Sequence, residues 1–135
     1  MVITLYKSPL KAKKFRAVFE DGTHTDFGGE GYSDYTIHKF PTRMRAYIKR
    51  HGGKIKKSTL QENDPQKIHD LMLHVDESKT ENWGKDGIRS AGFWSRWLLW
   101  SMPSIPKAIS LIERKFKVKI NYFDRVRGCL NPYVC

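Results

Sequence analysis

Apolar and polar residues alternate with the period of a β-strand near the start of the chain. In KKFRAVFEDGTHTDF, residues 13–27, apolar residues recur at every second position from Phe15 to Phe19, and the alternation resumes after Asp21-Gly22. An Asp-Gly pair between two alternating runs is a strong hairpin turn signal. The pattern therefore predicts a β-hairpin over residues 13–27, and VITLY at residues 2–6 predicts a third strand.

Later segments of the chain repeat apolar residues with the period of a helix. They are residues 41–53, 63–78, 89–102 and a fourth segment that begins after Ser104. Asp64 and Ser104 are typical N-cap residues for the second and fourth of these helices, and Pro103 ends the third. The alternating run KVKINYF, residues 117–123, predicts a C-terminal strand. The glycines of residues 28–39 predict a tightly packed loop.

These elements predict an α+β fold. We expect an N-terminal β-hairpin or small three-stranded antiparallel sheet, packed by about four helices, with ordered terminal arms. A chain of 135 residues is sized for a single domain, 1–135. Its expected parts are an N-terminal arm or strand (1–12), a hairpin with a glycine-rich loop and a basic helix (13–52), an acidic insertion-like segment (53–88), a tryptophan-rich helix with an amphipathic helix (89–116), and a C-terminal strand and tail (117–135).

The segment AGFWSRWLLW holds three of the four tryptophans of the chain. Its helical apolar stripe is wide, and a helix of that kind needs contacts on more than one side. The predicted core residues are Phe93, Trp94, Trp97 and Trp100. Arg96 and Leu99 point away from the stripe, toward solvent or a neighbouring subunit. Two alternatives stay open for the segment: a partner hot spot, where Trp and Arg are enriched, and an interfacial membrane anchor.

The charge of the chain indicates an acidic partner. A net charge of +11 attracts phosphate, acidic protein surfaces or anionic lipid. Two basic lobes, residues 1–60 and 89–135, flank residues 61–88, which carry 3 Lys/Arg against 7 Asp/Glu. The lobes could also be solvated faces that partly neutralise this acidic middle. The predicted partner-contact residues are Arg43, Arg45, Lys49, Arg50, Lys54, Lys56, Lys57 and Arg96.

Motifs of catalysis or metal binding are missing from the sequence. HExxH, GxSxG and P-loop patterns do not occur, so we expect no enzyme, no metal site and no cofactor. Glu30 and Asp34 beside His38 form a conceivable general acid–base group. The favoured interpretation is that Asp34 caps backbone amides in the glycine-rich loop. Cys129 and Cys135 are too few for a disulfide scaffold, although they could close a loop in the tail.

Three blocks of the sequence carry a family resemblance. KKFRAVFEDG....DFGGEGYSDYTIHK, R..YI.RH and GIRSAGFWSRWLLWSMPSIPKAI resemble a small uncharacterised protein family of large nucleocytoplasmic DNA viruses, such as those of algae and protists. The resemblance covers residues 13–52 and 83–112. It implies a viral origin and a place in the virion, and it supplies no catalytic residues. Residues 53–80 and the tail beyond Phe116 depart from the pattern of the family.

We therefore expect a non-enzymatic viral structural protein, a minor capsid protein that bridges or cements major capsid proteins in a large icosahedral DNA virus. The expected partners are other capsid proteins of the same virus, with peripheral contact to an internal virion membrane possible. The start MVITLYKSPL lacks a signal-peptide pattern, and no apolar run approaches the ~18 residues of a membrane span. Synthesis in the host cytoplasm and location in the virion capsid are expected.

The alternative function is nucleic-acid binding, in genome packaging or regulation. The basic helix at residues 41–51 could contact phosphates. Aromatic side chains such as Tyr32, Tyr35 and Trp83 could stack on bases. No helix-turn-helix, zinc finger or RNP-like strand accompanies them, so the basic face alone is a weak signal.

Overall fold

The computed structural model describes residues 1–126, in which a mixed four-stranded sheet is packed by helices. The strands are β1 (Val2–Lys7), β2 (Lys13–Val18), β3 (His24–Gly29) and β4 (Lys119–Val126). Their order in the sheet is β3-β2-β1-β4. The pairs β1–β2 and β2–β3 are antiparallel, whereas β4 lies parallel to β1. The predicted α+β class is confirmed.

The predicted hairpin is confirmed, and the predicted antiparallel sheet needs one correction. Gly22 has φ 86° and its amide donates to the carbonyl of Phe19 at 2.9 Å, which closes the turn. The first strand is an interior strand of the sheet, not an arm, because β4 pairs with its other edge and places Ile120 opposite Ile3. The parallel pairing of β4 makes the sheet mixed.

A helix forms in each of the four predicted segments. They are α1 (Tyr35–His38), α2 (Pro41–Arg50), α3 (Pro65–Leu73), α4 (Ala91–Trp94) and α5 (Ile105–Phe116). A π-helical turn, Ser95–Leu99, continues α4 directly, and 3-10 turns span Lys57–Gln61 and Lys85–Gly87. The short helix α1 lies in the segment that was predicted to be a loop.

Side-chain caps fix where the helices begin. Asp64 accepts a hydrogen bond from Lys67 N at 3.0 Å, and Ser104 accepts one from Lys107 N at 3.3 Å, as predicted. The third predicted helix begins at Ala91 instead of residue 89, because Ser90 is its N-cap and accepts from Phe93 N at 3.2 Å.

The tryptophan-rich helix is the centre of the core. Phe93, Trp94 and Trp97 are 0% exposed and Trp100 is 9% exposed, so all four predicted core residues are buried. The Trp94 ring stacks on Phe27 of β3 with centroids 5.8 Å apart. The Trp97 indole donates to the carbonyl of Trp83 at 2.8 Å. The helix therefore contacts the sheet on one side and the segment before it on the other.

Arg96 contradicts its predicted role as a partner contact, because it is 0% exposed. Its guanidinium donates to the carbonyls of Trp100, Met72 and Val75 at 2.6, 2.7 and 2.9 Å. It also lies 4.3 Å from the centroid of the Trp97 ring. Burial lowers the pKa of Arg96 to about 9, so the side chain is still charged at neutral pH. The dipoles of the three carbonyls and the face of the Trp97 ring stabilise its charge in the core.

The acidic insertion-like segment, residues 53–88, belongs to the same core. Its side chains Ile68, Met72 and Trp83 are no more than 1% exposed and lie in one cluster with the tryptophan-rich helix. This segment covers Arg96, whereas Leu99, which is only 2% exposed, lies beside Gly28 of β3. The C-terminal tail, including Cys129 and Cys135, lies outside the described residues.

The pairing of Arg16 with Asp26 across β2 and β3 gives a testable dependence of stability on pH. The two residues are direct cross-strand partners and form two hydrogen bonds of 2.9 and 3.0 Å, to which the Ser8 hydroxyl adds one of 2.7 Å. The hydrogen bond from Arg16 is the main cause that lowers the pKa of Asp26 below its ordinary value. The stabilisation is therefore complete above the ordinary aspartate pKa of about 3.9 and is lost as pH falls through the folded pKa.

We expect Asp26→Asn to lower the free energy of unfolding at pH 7 by about 2 kcal/mol. Urea unfolding of both proteins at pH 7 and near pH 2.5 measures the difference, which should shrink at the acid pH. Asp124→Asn is the matched control, since Asp124 is 73% exposed and its contacts with Lys7 and the Tyr122 hydroxyl are long, 3.8 and 3.4 Å. An equal difference between Asp26→Asn and wild type at both pH values would contradict the assignment.

Candidate functional site

A cleft of about 540 Å³ opens between α2, the end of β3 and the start of α4. One wall is α2, which presents Arg43, Tyr47 and Arg50 to the cleft. These residues are spaced i, i+4 and i+7, so they share one face of the helix. The neighbouring face carries Met44 and Ile48, both fully buried, and it anchors α2 in the core. The cleft is thus built on a rigid element.

Both carboxylates that line the cleft have their oxygens engaged by the protein itself. Asp34 caps α1 by accepting from Thr36 N at 2.9 Å, which is the capping role that was favoured from the sequence. Its other oxygen accepts from Lys14 Nζ at 2.7 Å. Glu81 accepts from His51 Nδ1 at 2.7 Å and from the Trp83 indole at 2.9 Å. Asp34 is thus paired with a cation of the cleft, and Glu81 is held in place by His51 and Trp83.

The pairing of His51 with Glu81 is a feature that the sequence did not reveal. A carboxylate only accepts hydrogen bonds, so the Nδ1 of His51 is the donor to Glu81. The His51 ring also stacks on Tyr47, with centroids 4.1 Å apart. Gly92 makes room for this arrangement, because a Cβ there would lie 2.6 Å from a carboxylate oxygen of Glu81. The cleft therefore contains an oriented histidine.

Cations of the cleft are left without a protein partner. The side chains of Lys13, Arg43 and Arg50 form no ion pair or hydrogen bond with any other residue between 1 and 126. All three are exposed. Lys14, in contrast, is held by Asp34 and by the carbonyl of Tyr32. Four Lys/Arg against two carboxylates line the cleft, so it carries an excess of positive charge that suits an anion.

Aromatic rings form the floor and one rim of the cleft. Tyr47 and Trp100 stack in the floor, with centroids 4.5 Å apart and planes at 6°. Burial is the main cause that raises the pKa of Tyr47, so its phenol stays neutral. Tyr32 stands at the rim and is 77% exposed. One side of its ring lies against Gly29, where an added Cβ would approach it to 2.8 Å, so part of this ring faces solvent.

Only some of the predicted contact residues meet in this cleft. Arg45 is half-buried and donates to the carbonyls of Thr59 and Glu62 at 3.0 and 2.8 Å, so it has a structural role. Lys54 pairs with Glu77 at 3.0 Å. A separate cavity of about 280 Å³ is lined by Lys54 and Lys56. Lys49 and Lys57 are exposed and line neither cavity.

A second exposed surface lies where α1 meets α2. Ile37 is 61% exposed and Phe40 is 57% exposed, and we call these two residues the α1–α2 patch. The Phe40 ring is stacked on His38, with centroids 5.7 Å apart and planes at 10°, and His38 packs against Trp100. Residues 35–61, which contain the patch and α2, carry eight Lys/Arg and no Asp/Glu.

The acid–base group considered from the sequence does not assemble. Asp34 lines the cleft, but Glu30 and His38 do not. Glu30 is exposed, and the Nδ1 of His38 accepts from Phe40 N at 2.9 Å. Within residues 1–126, no three side chains of His, Cys, Asp or Glu are placed to hold a metal ion. No helix in that range is long and apolar enough to cross a bilayer.

Comparison with known proteins finds one family. A family of unknown function, DUF5754, matches residues 3–51, from β1 to just past the end of α2. The matched region holds the α1–α2 patch and the cations Lys13, Arg43 and Arg50, whereas the α4 wall of the cleft lies outside it. No curated protein and no solved structure matches the chain. Residues 3–51 are thus similar to a family of unknown function.

Proposed function

We propose that the protein is a non-enzymatic viral structural protein, a minor capsid protein of a large icosahedral DNA virus. It binds an acidic segment of a neighbouring capsid protein through the α1–α2 patch. The observation that carries this proposal is the exposure of Ile37 and Phe40, 61% and 57%, within a segment that has eight cations and no carboxylate. The viral setting rests on the family resemblance of the sequence.

The anatomy of the patch supports a protein partner. Protein interfaces combine an apolar centre with a polar rim, and aromatic residues and Arg are enriched in them. Phe40 and Ile37 supply the apolar centre, and Arg43, one turn further along, supplies a charged edge. Because the Phe40 ring already stacks on His38, little side-chain freedom is lost when a partner covers it.

The charge of residues 35–61 selects the chemistry of that partner. With eight cations and no carboxylate in the segment, a basic surface would be repelled and an acidic one attracted. An acidic segment that carries an apolar side chain for the patch satisfies both features. Such a contact would hold the protein against a capsid neighbour without any chemical step.

Replacing Ile37 with aspartate tests the docking surface. We expect Ile37→Asp to weaken binding to purified capsid shells at least tenfold, because it places a carboxylate in the apolar centre and repels an acidic partner. Sedimentation of the protein with washed, DNA-free shells measures the bound fraction. Leu10→Asp is the matched control, since Leu10 is 49% exposed in the loop between β1 and β2. Equal binding of both variants and wild type would overturn the docking assignment.

A further inference from the structure

We infer that the cleft binds a nucleotide unit, with the base stacked on Tyr32 and the phosphate held by Lys13, Arg43 and Arg50. This site lies beside the α1–α2 patch and shares with its surroundings only Arg43, and it does not depend on the proposed capsid role. The ligand chemistry is a phosphate joined to a planar ring. It has two possible sources, a free nucleotide or one unit of a single-stranded nucleic acid.

The charge of the cleft points to phosphate. Four Lys/Arg against two carboxylates line it, and three of the cations, Lys13, Arg43 and Arg50, have no side-chain partner in the part of the chain that the structure describes. An arginine guanidinium matches the geometry of a phosphate with two parallel hydrogen bonds. Arg43 and Arg50 flank Tyr47 on the same face of α2, so both can reach one anion in the cleft.

The aromatic rim points to a planar ring beside that phosphate. Tyr32 is 77% exposed, the highest value among the exposed large hydrophobic side chains of the described residues. Its ring lies against Gly29 on one side, and its backbone carbonyl accepts from Lys14. An exposed aromatic face beside cations is the stacking platform that proteins use for unpaired bases.

His51 lies at the side of the cleft, hydrogen-bonded to Glu81 and stacked on Tyr47. The cleft thus combines donors for a phosphate with a surface for a base.

Fluorescence anisotropy with a labelled thymidine oligonucleotide of about 12 nucleotides tests the site. We expect binding that weakens as salt rises. Arg50→Ala and Tyr32→Ala should each reduce affinity about tenfold, and Tyr32→Phe should bind within about twofold of wild type because it keeps the ring. Arg114→Ala is the control for loss of a charge, since Arg114 is exposed on α5 away from the cleft. It should change affinity by less than about twofold.

Competition experiments distinguish a free nucleotide, a single-stranded nucleic acid and an acidic protein segment as ligands of the cleft. If thymidine monophosphate displaces the labelled oligonucleotide at the same concentration as unlabelled oligonucleotide does, the ligand is a free nucleotide. If displacement requires a much higher concentration of thymidine monophosphate, the ligand is a single strand. Displacement by polyglutamate as effective as that by the oligonucleotide overturns the inference in favour of an acidic protein segment. Absence of oligonucleotide binding at low salt also overturns it, as does wild-type affinity in both Arg50→Ala and Tyr32→Ala. Ile37→Asp should leave oligonucleotide binding unchanged. The nucleotide site and the capsid docking surface are therefore tested independently, and either proposal can fail without the other.

Discussion

Replacing Arg96 with alanine is expected to lower the free energy of unfolding by about 4 kcal/mol, a large part of the stability of a domain of this size. The side chain is fully buried and donates to three carbonyls, those of Met72, Val75 and Trp100. Alanine leaves these acceptors without donors in a low-dielectric interior and opens a cavity beside the Trp97 ring.

Two further substitutions separate the hydrogen bonds of Arg96 from its packing. Arg96→Met fills much of the same volume but donates nothing, so we expect a loss of about 2 kcal/mol from the unpaired carbonyls. Arg96→Lys keeps the charge but lacks the planar fork that reaches several carbonyls at once, so it should also destabilise the protein. Urea unfolding followed by circular dichroism measures all three, with the exposed Arg114→Ala as control. If Arg96→Met were as stable as wild type, the carbonyl contacts would not stabilise the fold.

Replacing Trp94 with alanine is expected to cost about 4 kcal/mol of unfolding free energy. Trp94 is fully buried, stacks on Phe27 of β3, and donates its indole N–H to the carbonyl of Ile88 at 2.6 Å. It joins the tryptophan-rich helix to the sheet, so its removal opens a cavity at the contact between two layers. The collapse of neighbouring side chains can fill only part of that space.

Trp94→Phe is the matched control for this contact. It retains an aromatic ring against Phe27 but loses the donor to the Ile88 carbonyl, so we expect a loss of about 2 kcal/mol. Chemical denaturation of both variants provides the comparison. A loss below about 1 kcal/mol for Trp94→Ala would mean that the helix does not depend on the sheet for its stability.

Local signals predicted the elements of the fold, and non-local pairing could not be read from the sequence. The Asp21-Gly22 turn and the N-caps Asp64 and Ser104 each depend on residues next to them in the chain, and each formed as predicted. The strand over residues 117–123 was also predicted, but its period does not say which strand it pairs with or in which direction. Its parallel pairing with β1 joins the two ends of the described chain.

The error about Arg96 has a physical reason. A helical pattern shows which residues share a face, but it does not show what covers the opposite face. Here residues 53–88 cover it, and the carbonyls of Met72 and Val75 accept from Arg96. An arginine within a nearly continuous apolar helix was the one sequence signal of a buried cation, since a helix that is apolar all round is usually covered on all sides.

The candidate sites were predicted only in part. Charge pattern selected Arg43 and Arg50, which the structure places in the cleft, but it also selected Arg45, which donates to the carbonyls of Thr59 and Glu62. The pairing of His51 with Glu81 links residues 30 positions apart and leaves no local pattern. The α1–α2 patch was missed because isolated apolar residues in a polar segment are common on protein surfaces.

Quantitative mass spectrometry of purified virions tests the proposed place of the protein in the capsid shell. Virions of the large DNA virus proposed to encode the protein are washed and separated into shell, membrane and core fractions. We expect the protein in the shell fraction, in a fixed ratio to the major capsid protein in independent preparations. Its absence from washed virions, or its recovery with the genome-containing core alone, would show that the protein is not a capsid component.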